Sequence, residues 1–208
     1  MKKILYSVAL AACCMGTMTS CSDFLDASNK SNVTAKQSFA TKEGLNNLVN
    51  NAYQHLQNVY AAPLFTSCFS AGTDMYADAR NKMNEALNTY ETLTPENTDI
   101  KNLYTYLYAG IRAANSVSYY AQTAQVDDKT KGQLVGEARV LAAYEYYLLV
   151  NNFGGVPIMK DFLTTADTGY PKSSAAEVYA YIISELEDVI GKNVLQASTA
   201  TKGGGRIS

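Results

Sequence analysis

The chain has 208 residues, of which 47% are hydrophobic and 17% are charged, with a formal net charge of −2. This balance excludes a basic surface for nucleic acid, so no nucleic-acid partner is expected. It is typical of one modest globular domain with enough apolar side chains for a core. Of the four cysteines, only Cys68 lies beyond position 21, which excludes a disulfide framework.

The N-terminus has the pattern of an export signal. Lys2 and Lys3 precede an apolar run at 4–12, which predicts a signal peptide at residues 1–20, too short to stay in a bilayer as a spanning helix. Small residues before Cys21 are similar to the lipobox of bacterial lipoproteins, and this predicts that Cys21 is acylated. Two alternatives remain: Cys13 fits the lipobox better but leaves a shorter apolar region, and the signal could be cleaved without lipidation.

Residues 21–40 are predicted to form the lipid anchor and a polar spacer, followed by a helical domain at 41–208. Apolar residues recur at spacings of three and four between Leu45 and Tyr60. This pattern predicts an amphipathic helix, with Thr41 as its N-cap and Pro63 beyond its end.

The stretch 61–97 has no clear period apart from a possible short helix near 81–90. Loops of this length are usually functional or disordered. The apolar pattern then resumes and predicts a second helix that begins at Thr98 or Asp99 and ends near Gln122.

A third helix is predicted from Asp127 or Asp128 to about residue 152. Its segment from Ala138 to Val150 is apolar or aromatic around most of its circumference and is therefore expected to be packed on all sides. Gly154 is expected to cap its C-terminus. A fourth helix begins with the capping-box pair Ser174 and Glu177. Four helices and no convincing strand predict an all-α fold. The short link between helices two and three predicts an antiparallel pair, as in tetratricopeptide units, although no 34-residue repeat is visible.

Five segments in order along the chain carry a resemblance to the RagB/SusD family. They are Cys21 to Asp26, Gly136 to Tyr147, Asn152 to Ile158, Glu177 to Tyr179 and Gly205 to Ser208. The block from 136 to 157 is the most specific of them. The chain departs from the family pattern at Ala142, where family members usually carry an arginine. Family members are also much longer, so the chain is expected to be an N-terminal portion with an incomplete helical array.

The resemblance implies a SusD-like body of tetratricopeptide-like helix pairs. It also implies a lipoprotein on the surface of the cell outer membrane that captures oligosaccharides. The implied partner is a SusC-like, TonB-dependent barrel that imports them. Family members bind without catalysis, so neither a cofactor nor an enzymatic activity is expected.

Sugar binding needs aromatic faces together with planar hydrogen-bonding groups. The loop 72–80 offers both, so Asp74, Tyr76 and Arg80 are predicted to contribute to ligand binding. The alternative is a solvated loop that packs against the rest of a longer chain. The tyrosines at 104, 106, 108, 144, 146 and 147 lie at helical spacing, which favours packing between helices over a stacking surface.

The sequence contains no convincing catalytic or metal-ligating set. His55 is the only histidine, and without a companion ligand it predicts no metal site. Asp74 and Asp78 form a carboxylate pair, but no cleft for glycoside hydrolysis can be located. Two competing functions remain open, a helical surface scaffold that binds only proteins and, less favoured, an exported all-α hydrolase.

Overall fold

The computed structural model describes residues 34–61, 63–76, 85–165, 169–195 and 206–207. The predicted signal peptide, the predicted lipidation site Cys21 and the candidate ligand residue Arg80 lie outside these residues. No helix in the described ranges is long and apolar enough to span a membrane.

Helices account for all the regular secondary structure of the described residues, which confirms the prediction of an all-α fold. The helices are α1 (Ala35–Ser38), α2 (Lys42–Tyr60), α3 (Glu85–Thr89), α4 (Thr98–Ala121), α5 (Asp128–Phe153) and α6 (Ala175–Lys192), with one π-helical turn at Thr66–Ser70. The described part contains no strand, only an isolated antiparallel bridge between Pro157 and Lys172.

The helix ends follow the capping signals in the sequence. The hydroxyl oxygen of Thr41 accepts a hydrogen bond from the Gly44 amide at 3.1 Å. At the start of α6, the Glu177 carboxylate accepts from the Ser174 amide while the Glu177 amide donates to the Ser174 hydroxyl, which completes the predicted capping box. Gly154 ends α5 with a φ of 69°, a left-handed conformation that favours glycine.

Consecutive long helices pack antiparallel and share a core in two parts. The first part joins the N-terminal half of α2, the C-terminal half of α4 and the N-terminal half of α5. The second part joins the opposite halves of these helices with the start of α6. This arrangement confirms the predicted antiparallel pairing of α4 and α5.

Two segments are more ordered than their patterns suggested. Residues 35–40, placed in the spacer from the sequence, contain α1, and the Phe39 ring packs on Tyr120 with centroids 4.8 Å apart. The stretch after Pro63 forms the π-helical turn. Neither feature carries a period of 3.6, so pattern analysis did not detect them.

An ion pair between the partly exposed Arg206 and the buried Glu137 holds residues 206–207 against the helices. Glu137 is 2% exposed, and its carboxylate accepts hydrogen bonds from Arg206 Nε at 2.7 Å and Nη2 at 2.6 Å. The Tyr53 hydroxyl donates to the same carboxylate at 2.7 Å and accepts from the Ile207 amide at 2.8 Å. The guanidinium of Arg206 also donates to Asn46 Oδ1. Both carboxylate oxygens of Glu137 therefore have hydrogen-bond partners.

Glu145, two turns further along α5, has no such compensation. Its side chain is fully buried, and neither carboxyl oxygen has a hydrogen-bond partner in the described structure. Burial raises the pKa of Glu145 well above its usual value. The carboxyl group lies against Gly110, where an added Cβ would be 1.7 Å from Oε1.

We expect Gly110→Ala to destabilise the protein by about 1–3 kcal/mol, because the new methyl group would overlap the buried carboxyl of Glu145. Chemical denaturation monitored by circular dichroism measures this change. Gly191→Ala is the matched control, since nothing lies within 4 Å of the added Cβ there. That control should raise stability by up to about 1 kcal/mol through helix propensity. Equal effects at the two glycines would contradict the overlap.

Candidate functional site

The candidate loop begins directly after the π-helical turn. Asp74 is exposed and Tyr76 is half-buried, while Arg80 lies outside the described residues. The start of the loop is held by Gly72, whose amide donates to Asn88 Oδ1 at 3.3 Å.

Only a glycine fits at position 72. Its φ is 77°, and an added Cβ would lie 2.1 Å from the hydroxyl oxygen of Tyr90. The loop thus leaves the helical body at a fixed point beside α3.

The helical tyrosines divide into packing and exposed residues. Tyr146 is fully buried, its hydroxyl accepting from the Met159 amide at 2.7 Å, and Tyr108 is half-buried and donates to the Pro157 carbonyl at 2.7 Å. Tyr144 and Tyr147 are 38% and 48% exposed on the outer face of α5. Tyr146 and Tyr108 therefore pack between helices. The prediction that the segment 138–150 of α5 is packed on all sides is wrong at Tyr144 and Tyr147.

The exposed tyrosines of α5 continue into a larger aromatic surface. The Tyr144 ring is nearly parallel to the Tyr147 ring, with centroids 6.2 Å apart, and the Tyr144 hydroxyl is hydrogen-bonded to that of Tyr60. Tyr60 in turn packs against Phe65 and Phe69 of the segment after α2. Burial and the hydroxyl contact raise the pKa of Tyr60 to about 12, so the Tyr60 hydroxyl remains protonated near neutral pH.

A groove of about 850 Å³ opens between α2, α4 and the segment 159–165 that follows α5. Asn51 and His55 line it from α2, Arg112 and Asn115 from α4, and Phe162 from the third wall. Its volume lies within the range usual for small-molecule sites. Asp74 and Tyr76 are not among its lining residues, so the groove is a separate surface from the loop.

The third wall of the groove is fixed by aromatic packing. The Phe162 ring lies with its centroid 5.3 Å from that of Tyr119 and 5.8 Å from that of Tyr120. The guanidinium carbon of Arg112 lies 5.5 Å from the Phe162 centroid. Such a contact holds a cation over a ring without using its hydrogen-bond donors.

Arg112 and Phe162 carry no sequence signal for ligand binding. Arg112 lies on the polar face of a predicted helix, where it looks like any solvated residue, and Phe162 lies in an aperiodic segment. Only the approach of the segment 159–165 to α4 brings these two residues together.

The remaining titratable groups provide no metal or nucleophilic centre within the described ranges. No group of three or more His, Cys, Asp or Glu side chains with metal-binding geometry occurs there. Burial lowers the pKa of His55, and its Nδ1 has no hydrogen-bond partner among the described residues. Burial, assisted by Asp99, raises the pKa of Cys68 to about 11, which leaves an unreactive thiol.

The fold defines a class of all-α proteins built from antiparallel helix pairs, with an aperiodic loop between the first two long helices. Comparison with known proteins places the chain within this class. Residues 23–199 match the model of a SusD-like family described as starch-binding associating with outer membrane. The chain therefore belongs to the SusD-like family.

Individual relatives agree with this assignment. A SusD-like protein of Formosa agariphila is 28% identical over 179 residues, which cover 84% of this chain and 34% of the relative. Surface glycan-binding protein A of Bacteroides uniformis superposes with a TM-score of 0.68 at 26% identity, over 81% of this chain and 39% of that one. A laminarin-binding SusD-like protein shares the fold, with a TM-score of 0.67 at 21% identity over 79% of this chain and 36% of that one.

The chain thus spans about a third of the length of the Formosa relative. The resemblance to the RagB/SusD family is confirmed, and the matched region is the N-terminal helical part.

Proposed function

We propose that this protein is a lipoprotein of the cell outer membrane that captures oligosaccharides and passes them to a SusC-like, TonB-dependent transporter. Family membership over residues 23–199 carries the proposal, because that family is described as starch-binding and associated with the outer membrane. The relative from Bacteroides uniformis is named as a surface glycan-binding protein. The protein acts by binding alone, without catalysis.

Within this function, the loop that carries Asp74, Tyr76 and Arg80 is a ligand-binding element. An exposed carboxylate can accept hydrogen bonds from sugar hydroxyls, and a tyrosine can present a ring face to sugar C–H groups. The fixed start of the loop at Gly72 limits the freedom that binding would have to remove.

Calorimetric titration of the full chain with a panel of oligosaccharides tests the capture of glycans. Laminarin oligosaccharides are the first choice, since a fold neighbour is described as laminarin-binding. We expect Asp74→Ala and Tyr76→Ala each to weaken binding several-fold by removing a hydrogen bond or a stacking contact. Tyr179→Ala, at another exposed tyrosine, is the matched control and should bind as the original chain does. Absence of binding across the panel would contradict the proposal.

The anchor is tested separately by metabolic labelling with palmitate in a Gram-negative host. We expect label on the original chain and on the Cys13→Ala variant, and none on Cys21→Ala, because acylation requires the thiol that follows the signal peptide. A Cys21→Ala variant that still carries label would overturn the assignment of the anchor.

A further inference from the structure

The groove between α2, α4 and the segment 159–165 combines three properties that a carbohydrate site requires. It has aromatic surface from Phe162 and Tyr120, planar amides from Asn51 and Asn115, and one charged donor from Arg112. A sugar ring presents C–H groups on its faces and hydroxyl groups at its rim, which match aromatic and planar polar side chains respectively.

The hydrogen-bonding groups of the groove are held in place, and some of their donors and acceptors remain free within the described structure. Asn115 Nδ2 donates to the Met159 carbonyl at 2.8 Å, which fixes the amide plane and leaves its oxygen as a free acceptor within the described structure. Arg112 is exposed and forms neither an ion pair nor a hydrogen bond there, although the Phe162 ring holds its guanidinium in place. Its five N–H donors are therefore available to a ligand.

The charge of the groove favours a sugar over a purely apolar ligand. Asp161 also lines the groove, so the site contains one exposed carboxylate as well as one guanidinium. A hydrophobic tail would form no hydrogen bond with either group, whereas sugar hydroxyl groups can donate to the carboxylate and accept from the guanidinium. His55 adds a neutral ring, since its pKa is lowered by burial.

We propose that this groove is a carbohydrate-binding site, separate from the loop at 72–80, in which Arg112 and Asn115 hydrogen-bond to a sugar unit that packs on the aromatic wall formed by Phe162. The proposal rests on the proposed function, since it adds a second contact region for the same class of ligand. Two separate regions would allow one oligosaccharide chain, or two, to be held by the same molecule.

The absence of tryptophan from the chain allows a direct test. Phe162→Trp places a single indole in the groove, and Tyr147→Trp places one on the exposed face of α5 as the matched control. Each variant is titrated with laminarihexaose, a neutral oligosaccharide, and with a galacturonate hexamer, an acidic one. We expect a saturable change in the emission of Phe162→Trp with at least one of the two sugars and no change for Tyr147→Trp.

A second variant tests the groove independently, in case the substitution at Phe162 disturbs folding. Arg112→Ala changes an exposed side chain and should leave the thermal unfolding midpoint unchanged while it weakens binding about tenfold, through loss of a charged hydrogen bond. Lys101→Ala, on the same helix and outside the groove lining, should bind as the original chain does. Preferential binding of the galacturonate hexamer would identify Arg112 as a carboxylate contact.

The experiments distinguish a wrong groove proposal from a wrong proposal of glycan capture. If calorimetry detects binding but the Phe162→Trp emission and the affinity of Arg112→Ala do not change, the groove proposal is overturned and glycan capture stands. If neither hexamer binds and the wider panel also gives no heat, both proposals are overturned. If Tyr147→Trp alone responds, the sugar site lies on α5 instead.

Discussion

Replacing Arg206 by alanine should lower the free energy of unfolding by about 3–5 kcal/mol, because the change leaves a buried carboxylate without its cationic partner. Glu137 is 2% exposed and receives two hydrogen bonds from the Arg206 guanidinium. In the variant, only the Tyr53 hydroxyl would remain to compensate its charge. Equilibrium denaturation in urea, followed by circular dichroism, measures the loss.

Two further variants separate this effect from simple loss of contact. Arg206→Ala combined with Glu137→Gln should recover part of the stability, since a neutral amide needs no cation. Arg139→Ala removes an arginine whose partners Glu185 and Asp188 are 22% and 40% exposed. Because water can solvate those carboxylates, the change should cost only about 1 kcal/mol. A loss at Arg206 no larger than that at Arg139 would show that Glu137 does not depend on its partner.

Replacing Glu145 by leucine should raise stability near neutral pH by about 1–3 kcal/mol, because it removes a buried polar group that has no hydrogen-bond partner in the described structure. Glu145→Gln keeps the size of the side chain and removes only its titration. Thermal and chemical unfolding of the three proteins between pH 4 and pH 8 measures both effects.

The pH dependence has a definite sign. The pKa of Glu145 is raised above its usual value of 4.5 in the folded protein by burial, so folding favours the protonated form. The stabilisation that results from this difference in pKa between the folded and unfolded protein is fully present below pH 4.5. As the pH rises, the unfolded chain releases the proton first, and stability falls by about 1.4 kcal/mol per pH unit until the folded pKa is passed.

The difference in stability between Glu145→Gln and the original chain should therefore grow as the pH rises above 4.5. The subtraction cancels the contributions of the other ionisable groups that the two proteins share. A difference that stays constant over this range would show that Glu145 is not a buried, titrating acid.

The predicted helix positions depended on local chemistry and were confirmed for that reason. Thr41, Asp127 and Ser174 each cap the helix that follows them, through hydrogen bonds to amides three residues further along the chain. Such contacts need no tertiary structure, so they can be recognised in a linear sequence. The block from 136 to 157 likewise identified the family without any coordinates.

The tertiary structure alone decided the environment of each functional group. Tyr144 and Tyr146 have the same residue type and lie two positions apart, yet one is 38% exposed and the other fully buried. Glu137 and Glu145 are both buried acids on α5, but among the described residues only Glu137 meets an arginine, which lies 69 residues away in the chain. The groove is also a product of tertiary structure, because it requires α2, α4 and the segment after α5 to meet.

The sequence by itself therefore determined the helices, their caps and the family, since all three depend on neighbouring residues. The compensation of buried charges and the shape of the groove depend on residues that are distant in the chain, and a linear pattern does not specify which distant residues will be in contact.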